Sequence, residues 1–157
     1  MVNEFQGNSG SLDDRVFTIV VSRYHLSITQ KLLEGAVSTL ARNEVSDANI
    51  NVVWVPGAWE IPLAAKTAMR QQAPAAVICL GCVIRGETTH DQHINMTVSS
   101  ELGRLGMENQ LPIAFGILTC NTMDQAIQRA GGDVGNKGIE SAEAVIEMLR
   151  LFDGIAR

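Results

Sequence analysis

AAVICLGCV, residues 75 to 83, decides how the rest of the chain is read. Every position is apolar or small, whereas a strand buried on one face alone would alternate with polar residues. The run therefore reads as a strand covered on both faces. VFTIVV (16 to 21) and PIAFGIL (112 to 118) have the same character, and INVVWV (50 to 55) fits beside them. Between these strands lie segments with helical spacing. Ile28, Leu32, Leu33, Ala36, Val37 and Leu40 form one apolar face, and Ile94, Val98, Leu102 and Leu105 form another.

After the fourth strand, Thr122 with Gln125 fits a capping box, and Gly131 with Gly132 provides a stop after Arg129. From Lys137 onward, Ile139, Ala142, Val145, Ile146, Leu149 and Phe152 mark a closing helix that lies on the sheet. Alternating strands and helices, with the strands apolar on both faces, predict an α/β chain. The expected architecture is a flavodoxin-like, three-layer α/β/α sandwich, its four-stranded parallel sheet flanked by helices.

A length of 157 residues suits one domain, 1–157, with residues 1–14 as an N-terminal segment. Apolar residues make up 46% and charged residues 18%, which excludes disorder. No apolar run approaches the ~18 residues a membrane span needs, so no membrane partner is expected. Twelve Lys and Arg against seventeen Asp and Glu leave a net charge of -5. With no basic stretch to follow a phosphate backbone, nucleic acid is not an expected partner. A small anionic ligand stays compatible, since a few aimed donors hold one phosphate. The start, MVNEFQGNSGSLDDR, has an early acid and no apolar segment, so a cytoplasmic setting is expected. The three cysteines argue against a disulfide framework. Cys79 and Cys82 form a C-x-x-C, but three positions apart on a strand they face opposite ways and read as packed thiols.

In open parallel sheets, ligands bind beyond the carboxyl ends of the strands. Those positions hold SRYH, PGAWE, IRGETTH and TCN. Tyr24 and His25 fit either an aromatic platform or helix-start packing. Glu60, after Trp59, fits a ligand contact or a simple complement to a helix dipole. In IRGETTH, Gly86 relaxes the backbone and Thr88 and Thr89 supply hydroxyls at a helix mouth, which suits an anion without matching either nucleotide fingerprint. Glu87 is expected to point outward. Histidine titrates near ~6.5, so His90 is the general acid and base candidate, with a structural role as its alternative. His90 and His93 make H-x-x-H, a metal site only if a third ligand arrives from elsewhere. No metal or cofactor is expected.

WVPGAWEIPLAAK, GCVIRGETTH, AFGILTCNTMDQAIQRAG and GNKG occur in an order and spacing that resemble the lumazine synthase family from about Val16 to the final helix. The resemblance implies a transferase of riboflavin biosynthesis. It would condense 5-amino-6-(D-ribitylamino)uracil with 3,4-dihydroxy-2-butanone 4-phosphate to give 6,7-dimethyl-8-ribityllumazine, phosphate and water, without cofactor or metal. It further implies that Tyr24 stacks on the pyrimidine and that Ala58, Trp59 and Glu60 hold the ribityl chain. Val83 and Ile84 offer main chain to the ring, Gly86, Glu87, Thr88 and Thr89 form the phosphate loop, and His90 moves protons.

By the same resemblance, Phe115, Arg129 and Lys137 come from a neighbouring subunit, Arg129 to the phosphate and Phe115 to the ring. The implied assembly is a homopentamer, with decamers and icosahedral 60-subunit shells as further forms. NEFQG, residues 3 to 7, would add a strand to a neighbour, and riboflavin synthase is a candidate partner. The short GGDVGNKG connection permits a shell. Cys82 stands where the family usually has threonine, His25 where asparagine is usual, and Trp59 where a smaller aromatic is usual. These departures bear on fine specificity rather than reaction class. A non-catalytic flavin- or lumazine-binding shell protein is the alternative, and the presence of His90, Arg129 and Lys137 argues against it.

Overall fold

Strands β1 (Phe17–Ser22), β2 (Ile50–Val55), β3 (Ala76–Ile84) and β4 (Ile113–Cys120) form one parallel sheet in the order β2-β1-β3-β4. The computed structural model describes residues 1–156. All four predicted strands are present, each within two residues of the expected bounds.

The central strands carry the core. Phe17, Ile19 and Val21 of β1 and Ile78, Leu80 and Cys82 of β3 share one face with helices α1 (Leu26–Arg42) and α5 (Lys137–Ile155). Val20, Val77, Cys79 and Val83 share the other face with α2 (Ile61–Gln72) and α3 (His90–Asn109). This twofold alternation puts Cys79 and Cys82 on opposite faces, where burial pushes both thiols up, Cys82 to about 12. The second influence on Cys82 is Cys120, its neighbour on the same face.

Cover on both faces, expected for β4 as well, holds only for the central strands. As an edge strand β4 leaves Phe115 41% exposed, and Val52 and Trp54 of the other edge, β2, are also partly open. The reason is geometric: a helix over a sheet edge reaches only one neighbouring strand.

Two caps differ from expectation in detail. Thr122 caps α4 (Met123–Arg129) by accepting from the Gln125 N–H at 3.2 Å, but Gln125 Oε1 accepts from Asn121 N–H at 2.8 Å, one residue earlier than a capping box requires. After Arg129 the glycines do more than stop a helix. They form an antiparallel hairpin of β5 (Ala130–Gly132) and β6 (Gly135–Asn136), with Gly131 and Gly135 at φ values of 104° and 113° that side chains rarely adopt.

GNKG then locks α5 onto α1. Asn136 Oδ1 accepts from the N–H groups of Gly138 at 2.8 Å and Ile139 at 3.2 Å, and its Nδ2 donates to the Lys31 carbonyl at 3.1 Å. Gly138 lies against the Leu32 carbonyl so closely that a Cβ would overlap it.

The N-terminal segment lies on α5. Gly7 packs on the Glu147 backbone, Leu12 is buried, and Arg150 donates to the Gly10 carbonyl at 3.0 Å. Residues 3–7 form no strand within one chain. Among the described residues, no helix is long and apolar enough to cross a membrane.

Candidate active site

Backbone hydrogen bonds tie the first two strand ends together. Arg23 N–H donates to the Val55 carbonyl at 2.8 Å and Tyr24 N–H to the Pro56 carbonyl at 3.1 Å. His25 takes a left-handed conformation, φ 57°, and its carbonyl accepts from Ile28 and Thr29 to start α1. Tyr24 stays 68% exposed, its ring edge-on to the His25 imidazole with centroids 4.7 Å apart. His25 thus starts the helix, and Tyr24 leaves its ring exposed at the strand end.

After β2, Pro56 and Gly57 lead into a 3-10 turn, Ala58–Glu60, and then into α2, whose first turn contains Pro62. Glu60 Oε2 accepts from the Gly57 N–H at 2.9 Å, so its carboxylate is fixed by the turn it closes. Ala58 is buried, whereas Trp59 is 55% exposed.

At the end of β3, Cys82 and Val83 are buried and Ile84 partly so. Arg85 N–H donates to the Cys120 carbonyl at 2.8 Å, pinning the strand end to β4. The loop then turns over into α3. Gly86 does not have positive φ, and a Cβ there would meet nothing within 4 Å. The expectation that Gly86 relaxes the backbone is therefore corrected: what the missing side chain provides is open space. Thr88 Oγ1 accepts from His90 N–H at a long 3.4 Å, and the Thr89 carbonyl accepts from Gln92 N–H at 3.0 Å, so both threonines help to start α3.

These loops enclose a cavity of about 440 Å³, a size suited to a small-molecule ligand. It is lined by Tyr24, His25, Gly57, Ala58, Trp59, Glu60, Cys82, Val83, Ile84, Gly86, Thr88, His90, Asp91 and Ile94. Its place is the switch point where the chain, having run from β1 out to β2, returns to β3 on the other side. Glu87 and Thr89 are exposed and outside the lining, in keeping with an outward Glu87. TCN, at the end of β4, does not reach the cavity either.

Three marked residues lie apart from it. Phe115 is paired with Cys79, three positions before Cys82 and so about 10 Å down the sheet. Arg129 ends α4, donating to the Gln125 carbonyl at 3.2 Å, and Lys137 begins α5 in an ion pair with Glu140. His93 is exposed and outside the lining. No group of three or more His, Cys, Asp or Glu side chains that could hold a metal occurs among the described residues.

His25, marked from sequence, is in the lining, and Gly57, Asp91 and Ile94 complete it. The signal for the last two was available in the helical period of α3, on which positions 91, 94 and 98 share one face.

An exposed tyrosine, a histidine at a helix start and a hydroxyl-bearing loop, set around the switch-point cavity of a flavodoxin-like sheet, make this the small-molecule site of an α/β protein. Residues 14–153 match the sequence profile of the family described as 6,7-dimethyl-8-ribityllumazine synthase. The chain is also 44% identical, over 145 residues, to a protein of that name from Rhodopirellula baltica, covering 92% of this chain and 94% of the relative. The chain belongs to the 6,7-dimethyl-8-ribityllumazine synthase family.

Proposed function

We propose that this protein condenses 5-amino-6-(D-ribitylamino)uracil with 3,4-dihydroxy-2-butanone 4-phosphate, releasing phosphate and water, as a transferase of riboflavin biosynthesis. The observation that carries this reading is the meeting, in one cavity, of Tyr24, the Ala58–Glu60 turn, Cys82 to Ile84, Gly86, Thr88 and His90 in a chain of this family.

The chemistry assigns a task to each. Joining an amine to a ketone moves protons at nitrogen and oxygen, and His90, first residue of α3, is the cavity's imidazole on that helix. Losing phosphate requires its charge to be held as the bond breaks. Thr88 and the first amides of α3 serve that end, aided by the positive end of the helix dipole. Tyr24 stacks on the pyrimidine, the Ala58–Glu60 turn holds the ribityl chain, and holding both reactants together supplies much of the acceleration.

Phe115, Arg129 and Lys137 complete the site from a neighbouring copy. Their position outside their own chain's cavity supports this assignment, and it makes a homo-oligomer, at the least a pentamer, the active form.

The test is to mix chelator-treated protein with both substrates and follow lumazine absorbance. Product without metal supports the synthase, whereas ligand binding without product favours the non-catalytic relative and refutes the reaction. His90→Ala is expected to lower turnover by about 10²-fold with the assembly intact, and an unchanged rate would remove His90 from the chemistry.

A further inference from the structure

Tyr24 and His25 stand side by side after β1, and both line the active-site cavity. Along a strand, neighbouring side chains point to opposite faces. The left-handed backbone at His25, φ 57° and ψ 52°, ends that alternation and lets two successive side chains serve one cavity. Such a conformation is uncommon for a residue with a side chain and is costly to hold. Starting α1 does not require the imidazole: His25 makes no side-chain cap hydrogen bond, where Ser, Thr, Asp or Asn ordinarily supplies one. What the imidazole does touch is the Tyr24 ring.

The two rings meet at 79° with centroids 4.7 Å apart, the one aromatic pair among the described residues. This is the edge-to-face arrangement that aromatic rings favour. Tyr24 is 68% exposed, so little else holds its ring, and a loose ring has to be ordered each time a planar ligand stacks on it. His25 is better anchored. It is half-buried, and its carbonyl accepts from Ile28 N–H at 2.9 Å and Thr29 N–H at 3.1 Å.

We propose that His25 is a positioning residue, its imidazole holding the Tyr24 ring in the orientation on which the pyrimidine of the ribitylamino substrate stacks. This rests on the lumazine-forming reading above. Because the effect passes through Tyr24, it belongs to the ring-bearing reactant and not to the butanone phosphate.

Steady-state kinetics on the full-length assembled protein test it. His25→Ala is expected to raise KM for the ribitylamino substrate about three- to tenfold, the size of one aromatic pair, with kcat and KM for the butanone phosphate within about twofold of the parent. In a Tyr24→Ala background there is no ring to hold, so adding His25→Ala should change KM by less than about twofold. His25→Phe keeps a ring edge beside Tyr24 and should recover most of the loss. His25→Asn tolerates the left-handed backbone but has no ring, and should behave like alanine.

Recovery by asparagine would mean that the side chain bonds the ligand directly, and the proposal is wrong. An unchanged KM in His25→Ala, an equal rise in both backgrounds, or an equal rise for both substrates overturns it too. Should phenylalanine prevent assembly, alanine in the two backgrounds decides. A parent protein that forms no lumazine overturns the functional reading and the positioning role with it, whereas an active parent indifferent to His25→Ala overturns the positioning role alone.

Discussion

Asn136 offers the sharpest test of how the fold supports the site. Its Oδ1 accepts from two first-turn N–H groups of α5, and its Nδ2 bridges to the Lys31 carbonyl on α1. Replacing an asparagine cap by alanine costs about 1 kcal/mol. The bridge is exposed and adds about 0.5 kcal/mol. A loss of roughly 1.5 kcal/mol in a chain of this size lowers the melting temperature by about 3–6 °C. Asn136→Ser keeps a cap and loses the bridge, so its melting temperature should fall by only about 1–2 °C. Calorimetry at fixed protomer concentration reads both, because assembly makes the melting temperature concentration-dependent. If Asn136→Ala melts within 1 °C of the parent, or if serine is as damaging as alanine, the division into cap and bridge is wrong. Lys137 follows directly, so catalysis should fall further in the alanine variant than in serine. Intact turnover in a destabilised Asn136→Ala would make GNKG a packing motif alone.

Glu60→Ala should lower the melting temperature by about 2–4 °C through loss of the Gly57 contact, while Glu60→Gln, which keeps an acceptor, stays close to the parent; equal melting of all three would refute the cap. The buried thiols give a pH dependence of definite sign. Burial raises Cys82 from the ordinary thiol value of 9.0 to about 12, so its contribution is fully present below pH 9 and is lost as pH rises toward 12. Thermal melts across that range should fall, and Cys82→Ser should lessen the fall; an unchanged slope would contradict the assignment. If the site is shared, inactive His90→Ala and Arg129→Ala chains, refolded together, should regain turnover at interfaces that pair an intact His90 with an intact Arg129. No regain would place both residues in one chain's site.

Much of the fold was legible because the central strands announce themselves. AAVICLGCV is apolar or small at each position since helices cover both of its faces. PIAFGIL has the same composition yet lies at an edge, where Phe115 is left partly open. Composition reports how apolar a strand is, but its place in the sheet depends on all four strands at once. Gly86 failed for a different reason: a glycine in a loop suggests special backbone, whereas here it leaves space beside the cavity.

The hairpin β5–β6 sets where Arg129 and Lys137 stand along the chain relative to one another. Eight positions separate them, and each lies next to a hairpin end: Arg129 precedes Ala130 and Lys137 follows Asn136. Ala130 pairs with Asn136, so the antiparallel ladder brings the backbones of Arg129 and Lys137 to its open end. If both residues complete a neighbour's site as proposed, the hairpin delivers them to it together. Within one chain Lys137 is engaged by Glu140, but that pair is exposed, and exposed ion pairs contribute little. Releasing the lysine from Glu140 to a neighbour's cavity, as the proposed function requires, therefore costs little. GGDVGNKG thus does two jobs: its glycines close the hairpin, and its asparagine anchors the helix that follows.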